Sequence, residues 1–265
     1  MPADLRRQWQ ADAAVRPSPL DQRTATAYDA IALEAAVGYD AVLLSPVTPL
    51  GTTSVVSPTS QDRAVTTTRG TEVVSDPTNV LAIEAAGRLA IEPRAHVRLT
   101  TVHQTLRPGP VQPVAGRTAH FRLFALAEAG RGEPEDGFEV HAVAEQLAVH
   151  LRTIHTAADR FGLQAGVPEA IVCVDEAHAR LGDRVSARLT AMGLAVTREP
   201  LFSGYYGGLR VRVRVPDPAG NAPEIVDVGA FDWVAQLTHD RRHRFIASAL
   251  GLQLLPLCYA RAQRS

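Results

Sequence analysis

The chain has 265 residues, 46% of them hydrophobic, with 27 basic and 28 acidic side chains and a formal net charge of −1. That size and apolar content build a core as one large domain or a domain with a small annex, while the balanced charge gives no overall attraction to DNA or an anionic membrane. Every basic residue is arginine, which removes chemistries that require lysine: the P-loop, the protein-kinase strand lysine and the pyridoxal Schiff base.

Residues 1–23 are polar and Pro-interrupted and read as an N-terminal arm, with the main domain expected over 24–265. "TAYDAIALEAAVGYDAVLLSPV" predicts a helix through Ala36, a break at Gly38 and a strand from Ala41 to about Pro46. A Gly, Ser, Thr and Pro stretch follows to Ser60, and "DRAVTTTRGTEVV" reads as a strand pair or hairpin. "SDPTNVLAIEAAGRL" then opens a helix from Asp76 to about Ala90. Asp76 or Ser75 is placed to cap its first turn, and Pro77 suits the first helical position.

"HVRLTTVHQTLR" and "AHFRLFALAEAG" predict two strands joined by a long loop over "PGPVQPVAGRT". "GFEVHAVAEQLAVHLRTIHTAADRF" is an amphipathic helix with Val143, Leu147, Leu151 and Ile154 on one face. Strand, helix and strand follow through Leu201. "YYGGLRVRVRV" alternates, so Val211, Val213 and Val215 share one face and Arg210, Arg212 and Arg214 the other. Those guanidiniums fit either a solvated edge strand or an anion site. "EIVDVGAFDWVAQL" gives a strand into a turn, and "RRHRFIASALGLQLLPL" is expected to close the chain as a helix. The sum is an α+β domain with a predominantly antiparallel sheet.

Neither the first residues nor any later segment has the apolar length of a signal peptide or a membrane span, so a soluble cytoplasmic protein is expected. Cys173 and Cys258 make no disulfide framework, and Cys173 within "AIVCV" reads as a buried strand residue. The nine histidines lack metal spacing; His150 and His155 lie roughly 140° apart around a helix, so no metal is expected. No nucleophile elbow, dinucleotide fingerprint or Cys-x-x-Cys occurs.

In their order, the segments from about Tyr28 to Leu257 resemble the catalytic core of a class II aminoacyl-tRNA synthetase, particularly the histidyl type. "GYDAVLLSP" resembles motif 1, which implies a homodimer through Gly38 to Pro46. "VHQTLR" with "HFRLF" resembles motif 2, which implies that Arg107 holds the ATP α-phosphate and Phe121 stacks on adenine, with Mg2+ accompanying the nucleotide. "SGYYGG" resembles the Gly-Leu-Asp-Tyr-Tyr element, which puts Tyr205 and Tyr206 at the ligand. "VVSDPTN" resembles the Leu-Arg-Pro-Glu-Gly-Thr turn, whose acid and threonine grip the substrate amino group; those positions are Asp76 and Thr78. "SALGLQLL" resembles motif 3.

Several positions depart from the family pattern. The motif 3 arginine is Leu254 with Gln253 before it, the motif 2 acid is Gly109, and the arginine ahead of the tyrosine pair is Leu201. Two positions that contact histidine in the family are Leu123 and Ala127, which predicts an apolar pocket floor. A lost transition-state donor typically costs about 10²–10³ in rate, and no anticodon-binding domain is expected after Leu257.

The resemblance therefore implies a paralogue that binds an amino acid or analogue outside translation, as a ligand-binding or regulatory partner. The regulatory subunit of ATP phosphoribosyltransferase resembles histidyl-tRNA synthetase in the same way. The alternative is an ATP-dependent ligase that passes an aminoacyl adenylate to a carrier protein, tRNA or small acceptor, with Arg210 and Arg212 replacing the missing phosphate contacts.

Overall fold

The computed structural model describes residues 1–109, 111 and 116–260, so part of the loop expected between the motif 2 strands lies outside the described residues. Helix α1 (Pro2–Ala11) buries no residue, whereas α2 (Gln22–Ala35) turns Tyr28, Ile31 and Ala32 inward behind an Asp21 cap that accepts from the Arg23 and Thr24 amides. Strands β1 (Asp40–Ala41), β2 (Val47–Pro49) and β3 (Thr71–Val73) are short. Helix α3 (Pro77–Ile91) begins at the expected proline, with Asp76 as its N-cap. The long strands β4 (Val97–Leu106) and β5 (His120–Arg131) precede the 25-residue helix α4 (Gly137–Phe161). Then come β6 (Glu169–Val174), α5 (Ala179–Ala191), β7 (Ala195–Pro200), β8 (Leu209–Arg214), β9 (Glu224–Phe231), α6 (Trp233–Thr238), β10 (His243–Gly251) and α7 (Leu254–Tyr259).

Eight strands form one sheet in the order β1-β4-β5-β10-β9-β8-β6-β7, and β2 and β3 form a small separate pair. Only β1–β4 and β6–β7 run parallel. The alternating side chains of this sheet feed two apolar layers. On one face Phe124, Leu126, Val211, Val213, Val228 and Ile246 meet α2, α4 and α5 through Ile31, Leu147, Ile154 and Leu189. On the other, Leu99, Ala125, Ala127 and Phe245 meet Leu81 and Leu89 of α3 and Trp233 of α6. Helices α3 and α6 pack against β4, β5 and β10. Beyond them the same sheet face carries Arg210, Arg212 and Asp227, which are only partly buried.

Three elements differ from the sequence expectation. "RRHRFIASALG" is a strand between β5 and β9, not a helix, because residues 245–247 are buried toward both layers and the polar alternation that marks a strand is erased. The motif 1 strand shrinks to Asp40–Ala41, and Leu43 beyond it is 97% exposed. Strand β8 is not an edge strand: it lies between β6 and β9, and carboxylates pair each of its arginines, Arg210 with Asp227, Arg212 with Glu199 and Glu224, and Arg214 with Glu224. The strand pair or hairpin expected over "DRAVTTTRGTEVV" forms as a tight turn closed by the antiparallel Thr66–Glu72 bridge, and β3 pairs on with β2.

The chain between β2 and β3 is organised around one buried acid. The fully buried Glu72 carboxylate accepts from the Gly51 amide at 2.9 Å, from the Thr53 amide and hydroxyl at 2.8 and 2.6 Å, and from the Gln61 amide at 2.6 Å. Burial works against its charged form, yet these donors hold the carboxyl below its ordinary value. The Gly, Ser and Thr stretch is thereby folded into a π-helical turn at Thr52–Val56 and a 3-10 turn at Gln61–Arg63, both braced against the end of β3.

Candidate functional site

Where the α3–α6 layer ends, the sheet face opens into a cleft of about 680 Å3. Its floor is apolar and shallow-chained: Leu123 from β5, Ala247 and Ala249 from β10, and Gly229 from β9. A Cβ on Gly229 would meet Phe231 and Tyr206 ring carbons at 2.5 and 2.6 Å, so only glycine lets these two rings close over the strand. Tyr205 stands edge-on to Tyr206, Phe231 and Trp233 at centroid distances of 5.0 to 5.6 Å. Phe231 stacks on Trp233 at 3.9 Å. Burial in this aromatic wall pushes the hydroxyls of Tyr205 and Tyr206 far above their usual range, with Asp76 and Asp227 adding to the rise. Both phenols stay protonated donors.

At one end of the cleft, Asp76 uses both of its carboxylate oxygens. Its Oδ1 accepts from the Thr78 amide at 3.1 Å and the Thr78 hydroxyl at 2.8 Å, capping α3. Its Oδ2 accepts from Arg107 Nη2 at 3.1 Å, and Arg107 Nε donates to the Ser75 carbonyl at 2.9 Å. The Arg107 guanidinium also lies over the Phe121 ring, 5.2 Å from its centroid. At the other end, Arg210 grips Asp227 with a shortest contact of 2.6 Å, and the Tyr206 hydroxyl donates to the same carboxylate at 2.9 Å.

The structure gathers Asp76, Thr78, Arg107, Phe121, Leu123, Tyr205, Tyr206 and Arg210 around this one cleft. Two residues named from the sequence stand apart. Ala127 lies deeper along β5, packed under α3, and Arg212 is drawn away by Glu199 and Glu224. Arg63 and Asp227, not named from the sequence, also line the cleft, as does Gln253, named only as a departure from motif 3. Gln253 is buried and donates to the Gly116 carbonyl at 3.1 Å and the Thr118 hydroxyl at 2.7 Å, and a Cβ on Gly116 would strike the Leu254 side chain at 2.8 Å. The motif 3 positions thus pin the loop after β4. Among the described residues, no group of three His, Cys, Asp or Glu side chains is arranged to hold a metal ion, and no helix is long and apolar enough to cross a membrane.

An antiparallel sheet with two helical layers, cut short on one face to leave this cleft, defines a class II synthetase-like core. The similar solved structures include synthetases of the histidyl, threonyl and prolyl types. Histidyl-tRNA synthetase from S. aureus superposes with a TM-score of 0.66 and 14% identity, over 91% of this chain and 67% of the other. An ATP phosphoribosyltransferase regulatory subunit/histidyl-tRNA synthetase from Bacillus halodurans gives 0.65 and 13%, over 90% and 80%. A histidine–tRNA ligase subunit from Alicyclobacillus acidocaldarius gives 0.64 and 13%, over 91% and 96%. At these identities the likeness is one of fold. No protein-family model and no curated protein matches the sequence.

Proposed function

We propose that this synthetase-like paralogue binds an amino acid or close analogue and acts outside translation, as a ligand-binding or regulatory partner of another protein. The observation that carries the reading is the combination of a retained amino-acid end and a dismantled phosphate end. Asp76 and Thr78 stand at one end of the cleft, and Tyr205 and Tyr206 line it beside them, whereas Leu254 and Gln253 occupy the motif 3 positions and serve to hold a loop. Arg107, the arginine matched to the α-phosphate ligand, already spends two of its donors on Asp76 and Ser75. The Bacillus halodurans structure, named as an ATP phosphoribosyltransferase regulatory subunit/histidyl-tRNA synthetase, is compatible with this reading by likeness of fold.

The alternative ligase depended on the β8 arginines as substitute phosphate contacts. Carboxylates neutralise all three, so the residues present fit a triphosphate with Mg2+ poorly and nucleotide binding is weak. Amino-acid-dependent exchange of pyrophosphate into ATP separates the two readings: no exchange above background is expected, and robust exchange would establish the ligase. We also assign the protein as a homodimer through the motif 1 region, where Val37 and Leu43 are 83% and 97% exposed beside the two-residue edge strand β1.

A further inference from the structure

The fold leaves helix α1 uncovered. None of its residues is buried, and Leu5 and Trp9, one turn apart on the same side, are both exposed. Arg6, on the border of that apolar stripe, has no ion-pair partner among the described residues. A ten-residue helix with no side-chain cap is marginal in water, and its stability must come from packing an apolar face. The arm is nevertheless tethered. The Arg16 carbonyl accepts from His120 Nε2 at 2.8 Å, and Asp21 caps α2, so α1 hangs from the domain on the short strap 12–15.

A second uncovered apolar surface runs along the edge of the sheet. Leu33 of α2, Val37 after it and Leu43 beyond β1 are all exposed. The charge around them is acidic: Glu34 is exposed with no ion-pair partner among the described residues, and Asp40 and Glu84 share the single arginine Arg88. Helix α1 carries two arginines and one aspartate. The two surfaces are therefore both apolar and opposite in charge, and within one chain neither covers the other.

We propose that α1 is an exchanged arm: it lies across the Leu33, Val37 and Leu43 surface of a second copy of this chain, with Leu5 and Trp9 as anchors and Arg6 toward Glu34, while the second copy returns the same contact. The proposal rests on the homodimer assignment above and names the segment that covers its edge. Area favours exchange. One ten-residue helix laid on a surface buries far less than the roughly 1,200–2,000 Å2 of a stable interface, but a two-fold axis makes the contact twice and adds it to what the β1 edges bury.

The test uses the full chain. Its two tryptophans are Trp9 and Trp233, and Trp233 is buried in the core, so a change of emission on association reports Trp9. Sedimentation and tryptophan emission are followed together over a dilution series, and Trp9 is expected to shift to the blue and to lose accessibility to acrylamide as the dimer forms. Leu5→Asp and Leu43→Asp, both at side chains outside the core, each weaken dimerisation roughly tenfold or more, the loss expected of an anchor. Mixing the two variants in equal amounts then restores association above that of either alone, because the mixed pair keeps one intact arm on one intact surface; a contact made within one chain gives no such rescue. If Leu5→Asp dimerises like the wild type, if mixing restores nothing, or if Trp9 is as accessible in the dimer as in the monomer, the exchanged arm is overturned while the homodimer stands. A blue shift that requires phosphatidylglycerol vesicles rather than a second copy overturns it in favour of a lipid surface. A wild type that stays monomeric throughout overturns both the arm and the homodimer.

Discussion

Replacing Asp76 by asparagine separates the two duties that its carboxylate performs. Asparagine caps helices about as well as aspartate, so the hydrogen bond from the Thr78 amide survives. What is lost is the ion pair to Arg107, whose partners are 36% and 23% exposed, and a pair so open to solvent is worth roughly 0.2–1 kcal/mol. The melting temperature should therefore fall by only about 1–4 °C in a chain of this size. Asp76→Ala removes the cap as well and costs a further 0.5–2 kcal/mol or so. On the proposed amino-acid-binding reading the ligand would feel the change differently, because its ammonium would face an amide where it had a carboxylate. Removing one partner of a buried, hydrogen-bonded charge pair costs roughly 2–5 kcal/mol, which weakens affinity by a factor of about thirty to several thousand. Calorimetric titration with the bound amino acid, run beside thermal melts of the wild type, Asp76→Asn and Asp76→Ala, measures both effects. Unchanged affinity in Asp76→Asn together with a lowered melting temperature in Asp76→Ala would show that the turn is a helix cap and nothing more.

Arg107→Ala should abolish what ATP binding calorimetry detects, since a hydrogen bond to a charged group contributes roughly 1.5–3 kcal/mol; tight ATP binding that survives the change would refute the motif 2 register. Sedimentation at micromolar concentration should give a dimer, and Leu43→Asp, at a side chain 97% exposed in the isolated chain, should shift it toward monomer; a monomeric wild type would sink the motif 1 assignment. Acid should also weaken the fold through His150, which is fully buried with Nε2 2.8 Å from Ser248 Oγ and whose pKa burial pushes down from 6.5 to about 3. The unfolded chain takes a proton below pH 6.5 that the folded chain refuses, so stability is unaffected above that pH and falls as pH drops from 6.5 toward 3, by roughly 2 kcal/mol at pH 5. Urea unfolding at pH 7 and pH 5 should show this loss in the wild type and lose about that much of it in His150→Gln; an identical pH dependence in both would refute the assignment.

Periodicity made β4, α3 and α4 legible, because each turns one face to the core and one toward water or a polar layer, while β5 was marked by the Gly- and Pro-rich loop that bounds it. It failed at β10, where Phe245, Ile246 and Ala247 are all buried between two helical layers and an Ala- and Leu-rich run carries no period to read. At the site, Asp76, Thr78 and the tyrosine pair stood in recognisable local patterns. Arg63 did not. It lies in a stretch whose Gly, Ser, Thr and Pro content reads as linker, and it reaches the cleft only because Gln61 and Thr53 fold that stretch onto Glu72. The pairing of Arg107 with Asp76, between residues 31 apart in the chain, was likewise hidden, although each had been singled out separately.

The depth of the cleft is made by subtraction. At Ala247, Ala249 and Gly229 the sheet approaches the ligand space with a methyl group or a bare Cα, so the reach available to a bound molecule is set by missing carbons rather than by the path of the backbone. On the proposed reading, the groups that would meet a ligand's charge belong elsewhere, to the turn at residues 76–78. Length and charge are therefore measured by different parts of the chain. A descendant of this protein could admit a bulkier or a smaller guest one methyl at a time on β10, with its grip on the charged end untouched, so divergence among its relatives should be written in the floor before it is written in the turn.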